Sequence, residues 1–186
     1  KNIKKKTIFV VEVSSYQLEY SKIFRSKFVA ILNISPDHIE RHKTISRYVK
    51  AKFKLIKNQN RYNLAFVKKN DPFISKTLRQ NKFKSNIIKV DQTNLSNYIN
   101  KFGNSYFFTD ANKENLSFII AISKKLNLKK RLLEKTIRNF KGLKYRQQII
   151  YKKKNLTIIN DSKSTSFSSS VGLLKSNSNI YWILGG

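Results

Sequence analysis

The stretch Ile31-Leu-Asn-Ile-Ser-Pro-Asp-His38, with the segment Ile45-Ser-Arg-Tyr-Val-Lys-Ala-Lys-Phe-Lys-Leu-Ile-Lys57 that follows it, decides how the chain is read. Phe28 to Ile34 is a short apolar run of the kind that forms a buried strand. It leads into Ser35-Pro36-Asp37-His38, so polar groups are delivered at a strand's carboxyl end, where open α/β sheets hold their ligands. In the second segment, at about 100° per residue, Ile45, Tyr48, Val49, Phe53, Leu55 and Ile56 share one arc of a helix. Arg47, Lys50, Lys54 and Lys57 fall outside that arc, but Lys52 sits within it. A cation there must run its stem along the apolar surface, find an anion or give up its charge, because desolvation disfavours the ammonium form. An uncharged amine can react with carbon dioxide. The carbamate so formed is a carboxylate on a lysine stem, able with His38 to hold a hard cation beside a phosphate. The plain alternative is a snorkelling lysine and a helix-capping Asp-His pair.

Working outward, Thr7-Ile-Phe-Val-Val-Glu-Val13 is apolar on both faces, as a parallel strand covered by helices should be, with Glu12 near its end. A helix from about Tyr16 to Phe24 would join it to the strand at Phe28 as a βαβ unit. Beyond Lys57 the alternation continues with a strand at Asn63 to Val67, a helix from about Pro72 to Asn81 and a strand at Asn86 to Val90. This alternation marks an α/β fold with a mostly parallel sheet flanked by helices. Thr93 to Phe108 is polar and reads as loop with short strand pieces, since Asn and Ser side chains compete for backbone hydrogen bonds. Two helices follow, Asn112 to Leu126 with Leu116, Ile119, Ile120 and Ser123 on one side, and Lys130 to Phe140 with Leu132, Leu133 and Ile137. They are expected to pack as a pair, and Lys141-Gly142 to mark a domain boundary. After it, Gln148 to Tyr151 and Leu156 to Asn160 read as a hairpin. A helix at about Phe167 to Lys175 and a strand at Ile180 to Leu184 then open a second α/β unit.

Composition sets outer bounds. With 186 residues, 40% of them hydrophobic, the chain can bury a real core. It has no cysteine, which excludes disulfides and thiolate metal sites and suits a cytoplasmic protein. No run approaches the roughly 18 unbroken apolar residues of a membrane span, so no membrane association is expected. Lys+Arg 39 against Asp+Glu 10 gives a net charge of +29, which raises nucleic acid as a partner. The excess is mostly lysine, scattered through every segment beside abundant asparagine and isoleucine, residues that share A/T-rich codons. A basic solvated surface is the reading that follows, with no specific nucleic-acid partner. The chain has no methionine and neither a GxxxxGK[ST] nor a GxGxxG phosphate loop. We expect it to be a piece of a longer protein, cut at both ends.

Four motifs together, Val11-Glu-Val-Ser-Ser-Tyr-Gln-Leu-Glu19, Leu32-Asn-Ile-Ser-Pro-Asp-His-Ile-Glu-Arg-His42, Tyr48-Val-Lys-Ala-Lys52 and Asn160-Asp-Ser-Lys-Ser-Thr165, resemble the Mur ligases, in order and over most of the chain. Within that family the Ser14-Ser-Tyr-Gln-Leu-Glu19 stretch is most similar to the members that add D-glutamate. The resemblance implies an ATP-dependent, amide-bond-forming enzyme of peptidoglycan synthesis that joins D-glutamate to UDP-N-acetylmuramoyl-L-alanine through an acyl phosphate, acting as a monomer. It implies that residues 1–142 are the C-terminal part of the central ATP-binding domain, and that 143–186 begin a Rossmann-like, amino-acid-binding domain. Without a phosphate loop this chain alone is expected to be inactive.

Site roles also follow from the resemblance. Glu12 would serve a first Mg2+, and His38 with carbamylated Lys52 a second. Asn112 and Asn115 fall where the family contacts adenine, with Ala111 in place of the family's histidine. Arg146, in Leu143-Lys-Tyr-Arg146 where the family has Leu-Pro-His-Arg, would touch the nucleotide, as would Asp161. Ser14, Lys163 and Thr165 would line the substrate pocket, while Ser15 could be a simple helix cap. Two rivals stay open: a Mur ligase for another amino acid, and a basic nucleic-acid-binding module, which needs lysines focused on one face among stacking aromatics. A non-catalytic remnant is a third.

Overall fold

The computed structural model describes residues 7–36, 39–92, 95, 102–165 and 167–185. They form two compact units, Lys1–Val90 and Asp91–Gly186. The division falls upstream of the boundary expected at Gly142.

In the first unit, helix α1 (Ser15–Tyr20) precedes strand β1 (Phe28–Ile31), the short helix α2 (Ile39–His42) and the longer α3 (Ile45–Lys57). Strand β2 (Leu64–Lys68), helix α4 (Pro72–Gln80) and strand β3 (Asn86–Val90) complete it. The strands form a parallel sheet in the order β1-β2-β3, with Val29 opposite Ala65 and Ala65 opposite Ile87. Parallel neighbours cannot be joined by a tight turn, so each connection carries helices. On one face Val29, Ile31, Ala65 and Val67 pack with Tyr48, Val49, Phe53 and Ile56 of α3 and Ile74 of α4. The other face carries Phe66, whose ring stacks on Phe28 at 6.1 Å. Because neighbours alternate across a sheet, the complete burial of Ala65, Phe66 and Val67 means that β2 is covered on both sides.

Local chemistry fixes the helix starts. Thr44 caps α3 by accepting from Arg47 N–H at 3.2 Å. Asp71 caps α4 by accepting from Ile74 N–H at 3.0 Å, with Pro72 in the first turn, where its missing donor costs nothing. The other Asp71 oxygen accepts from Ile34 N–H at 2.8 Å. One buried carboxylate therefore ties the chain leaving β1 to the start of α4.

The second unit contains a 3-10 turn (Ser105–Phe108), helices α5 (Asp110–Lys125) and α6 (Lys130–Asn139), strands β4 (Gln148–Lys153) and β5 (Leu156–Asn160), and helix α7 (Phe167–Lys175). Leu95, Phe102 and Phe107 form its core with Leu116 and Ile120 of α5 and Ile137 of α6, so the two helices do pack together. Gly142, at φ +80°, closes this part. A Cβ there would lie 2.7 Å from Cε2 of Tyr106, a collision that only glycine avoids. The β4 and β5 strands pair antiparallel, with a register shift between Ile149 and Tyr151.

Several sequence expectations need correction. Thr7 to Val13 is not a strand: Ile8, Phe9, Val10 and Val11 lie exposed, and among the described residues no strand pairs with them. Their β-propensity is real, but a parallel strand forms only against a neighbour. Ile180 to Leu184 fails in the same way, with Tyr181 98% and Ile183 93% exposed. Among the described residues, the Rossmann-like start expected after Gly142 is therefore a hairpin and a helix without a parallel strand. The ladder of β1 stops at Ile31 rather than Ile34, and the first helix stops at Tyr20 rather than Phe24. Residues 105–108 form a 3-10 turn where strand pieces were expected, while 93–94 and 96–101 lie outside the described residues. Ile119 and Leu132, assigned to packed faces, are exposed. Each sits at the margin of its apolar stripe, where position along the helix does not by itself decide burial.

Candidate functional site

The expected site residues divide between the two units. In the first, the motif after Val13 becomes a helix start: Ser14 Oγ accepts from Gln17 N–H at 3.2 Å, and Ser14 N–H donates to Gln17 Oε1 at 2.9 Å. This reciprocal capping box occupies the Ser14 hydroxyl, so Ser14, not Ser15, is the cap. Ser15 is buried and shares a 2.9 Å hydrogen bond with Nε2 of His42, also buried. The His42 ring lies between Tyr16, centroids 5.6 Å apart, and Tyr48, at 5.4 Å. The Lys52 ammonium stands 4.8 Å from the Tyr48 ring centroid, an attractive contact for a cation. Lys52 is half-buried in the apolar arc where the helical period put it.

Glu12 is exposed and helps line a cavity of about 220 Å³ with Val11, Val13, Leu18 and Phe24. Neither a hydrogen bond nor an ion pair joins it to Lys52 among the described residues, and within them no cluster of three His, Asp or Glu side chains is placed to hold a metal. His38, and Asp37 beside it, lie outside the described residues. Among the described groups, the Glu12 carboxylate is an oxygen donor of the type a hard cation takes.

In the second unit the structure draws expected residues together. Asn112, buried at the start of α5, donates through Nδ2 to Tyr106 O at 2.8 Å and to Gln147 Oε1 at 3.2 Å. Gln147 N–H donates to Asp161 Oδ1 at 3.0 Å, and the other Asp161 oxygen accepts from Ser164 at 2.8 Å and Ser170 at 3.3 Å. Lys163 N–H donates to Tyr145 O at 3.0 Å. Burial pushes the Tyr106 hydroxyl above its ordinary range; the Asp161 charge adds to that and the Arg146 charge opposes it. Asn112, Arg146 and Asp161 therefore gather around Tyr106 and Gln147. Arg146 is exposed, as are Asn115, Lys163 and Thr165, and no described contact brings Asn115 or Thr165 into the network.

His42 and Gln147 are among the residues in these networks that carried no expected role. His42 had a signal, a second histidine four positions beyond His38. Gln147 had none, because its partners are 35 and 14 residues away in sequence.

A parallel sheet with helical crossovers defines an α/β domain. The chain belongs to the Mur ligase family, since residues 1–134 match the Mur ligase middle domain. Among curated relatives it is similar to the UDP-N-acetylmuramoylalanine--D-glutamate ligase of Rickettsia felis, 29% identical over 195 residues, or 96% of this chain and 43% of the relative. The protein of the same name from Alkaliphilus oremlandii is 30% identical over 198 residues, 96% of this chain and 43% of the relative. That from Leptospira borgpetersenii is 32% identical over 175 residues, 88% and 38% respectively. The chain thus spans less than half the length of these relatives. Among the described residues no helix is long and apolar enough to cross a membrane.

Proposed function

We propose that this chain is part of a cytoplasmic, ATP-dependent ligase that joins D-glutamate to UDP-N-acetylmuramoyl-L-alanine in peptidoglycan synthesis, acting as a monomer without a nucleic-acid partner. Residues 1–142 would be the C-terminal part of the central ATP-binding domain and 143–186 the beginning of the amino-acid-binding domain. The observation that carries the reading is the joining of Asn112 to Asp161 through Gln147, the residue that follows Arg146. Residues from three separate segments, each given a nucleotide role by resemblance, converge there. Similarity to ligases of that name along 96% of the chain supports the choice of D-glutamate.

In this reading the alanyl carboxylate attacks the γ-phosphorus of ATP, the bond to the β–γ bridging oxygen breaks, and ADP leaves. The amine of D-glutamate then adds to the acyl carbon, loses a proton, and phosphate departs as the amide forms. Negative charge develops on phosphoryl and acyl oxygens in both steps, so fixed positive groups and donors are what the chain must supply. Arg146 would neutralise nucleotide phosphate, Asn112 and Asn115 would orient the base, and Asp161 would accept from the nucleotide or hold its neighbours in place. Ser14, Lys163 and Thr165 would orient the substrates. Glu12, His38 and carbamylated Lys52 would hold Mg2+, which when bound offsets charge on the phosphate oxygens.

The test is phosphate release by the full-length gene product with UDP-N-acetylmuramoyl-L-alanine and a panel of amino acids. Turnover should require D-glutamate; equal turnover with L-lysine or diaminopimelate would reassign the substrate. The 186-residue chain assayed alone should release none.

A further inference from the structure

We infer that Gln147 is a specificity-determining residue for the nucleotide base: it holds the Asn112 carboxamide with its oxygen outward, selecting a purine that carries a hydrogen-bond donor at position 6. The inference rests on the proposed role of Asn112 as a nucleotide contact.

Hydrogen-bond roles settle the orientation. The atom of Asn112 that faces the Tyr106 main-chain carbonyl, at 2.8 Å, must be the NH2 nitrogen, since a carbonyl can only accept. That same nitrogen lies 3.2 Å from the Gln147 side chain, so the Gln147 atom meeting it must be the oxygen. The Thr109 hydroxyl donates to this oxygen too, at 3.3 Å. Both amide hydrogens of Asn112 are then used. Its Oδ1 is the one polar side-chain atom left to meet a ligand, and it accepts no hydrogen bond among the described residues.

One bond would not be enough. The terminal torsion of asparagine has broad wells and no strong preference of its own, so a single contact to Tyr106 leaves the amide plane free to turn. Two acceptors at different directions fix it. Gln147 is itself held by its main chain, whose N–H donates to Asp161 at 3.0 Å, so replacing the side chain leaves that anchor intact. An oxygen fixed in this way favours the 6-amino group of adenine and meets the 6-oxo group of hypoxanthine as acceptor against acceptor.

The experiment compares kcat/KM for ATP and ITP in the full-length gene product with D-glutamate present. The wild type should favour ATP by about five- to tenfold, the worth of one hydrogen bond. Gln147→Leu should bring the ratio to within about twofold, while Gln147→Glu, which keeps an acceptor, should restore most of it. The ratio is internal to each variant, so a general loss of activity or stability does not imitate the effect. An unchanged ratio in Gln147→Leu overturns the inference, as does a ratio lost equally in both variants. A wild type that uses ATP and ITP alike also overturns it but leaves the proposed function standing. If neither nucleotide is used, the proposed function falls, and the inference with it.

Discussion

Strand β2 and the β4–β5 hairpin stabilise themselves by opposite means. Ala65, Phe66 and Val67 are wholly buried, whereas every residue from 149 to 158 is exposed. The first belongs to a ladder that exists because helices cover it. The second is held by its own cross-strand pairing and, at its base, by the polar contacts of Gln147 and Asp161. Burial and hydrogen bonding thus divide the molecule, and substitutions should separate them.

The largest effect is expected at Phe66. Phe66→Ala should cost about 3–5 kcal/mol in denaturant unfolding of the first unit, while Ile158→Ser in the hairpin should stay within about 0.5 kcal/mol. Equal losses would mean that the hairpin is covered after all. Next comes Gly142→Ala, which adds a methyl against the Tyr106 ring at a left-handed backbone position. It should lower the stability of the second unit by about 2 kcal/mol, read from its thermal midpoint, and leave the first unit unchanged.

The smallest effect is a pH dependence. The folded Tyr106 hydroxyl titrates above its unfolded value because of burial, so the folded state binds the extra proton in between. Its contribution is complete below about pH 10 and is lost as pH rises through the folded pKa. Tyr106→Phe should flatten that alkaline limb; an unaltered limb would show that other groups cause it.

How much of this was legible in the sequence follows the same division. The helix Ile45–Lys57 and strand β2 could be read because their apolar spacing is a local property that the fold then uses. Thr7 to Val13 and Ile180 to Leu184 carry an equally strong strand signal yet join no sheet among the described residues, since strand formation depends on a partner that the segment itself does not specify. The placing of Lys52 within an apolar arc followed from helical geometry, but its seat over Tyr48 did not. Gln147 was invisible for the reason that makes it informative. A polar side chain serving groups on distant segments leaves no periodic trace.

Asp71 has a consequence for the loop beyond β1. Its carboxylate is the last main-chain anchor described before Ser35 and Pro36, through Ile34 N–H, and it belongs equally to the first turn of α4. The main chain entering Ser35 and Pro36 is therefore fixed to the start of α4, a helix that contributes none of the proposed ligands. A substitution at residue 71 would release both anchors while leaving every proposed contact residue untouched, and a survey of those residues alone would score such a variant as intact.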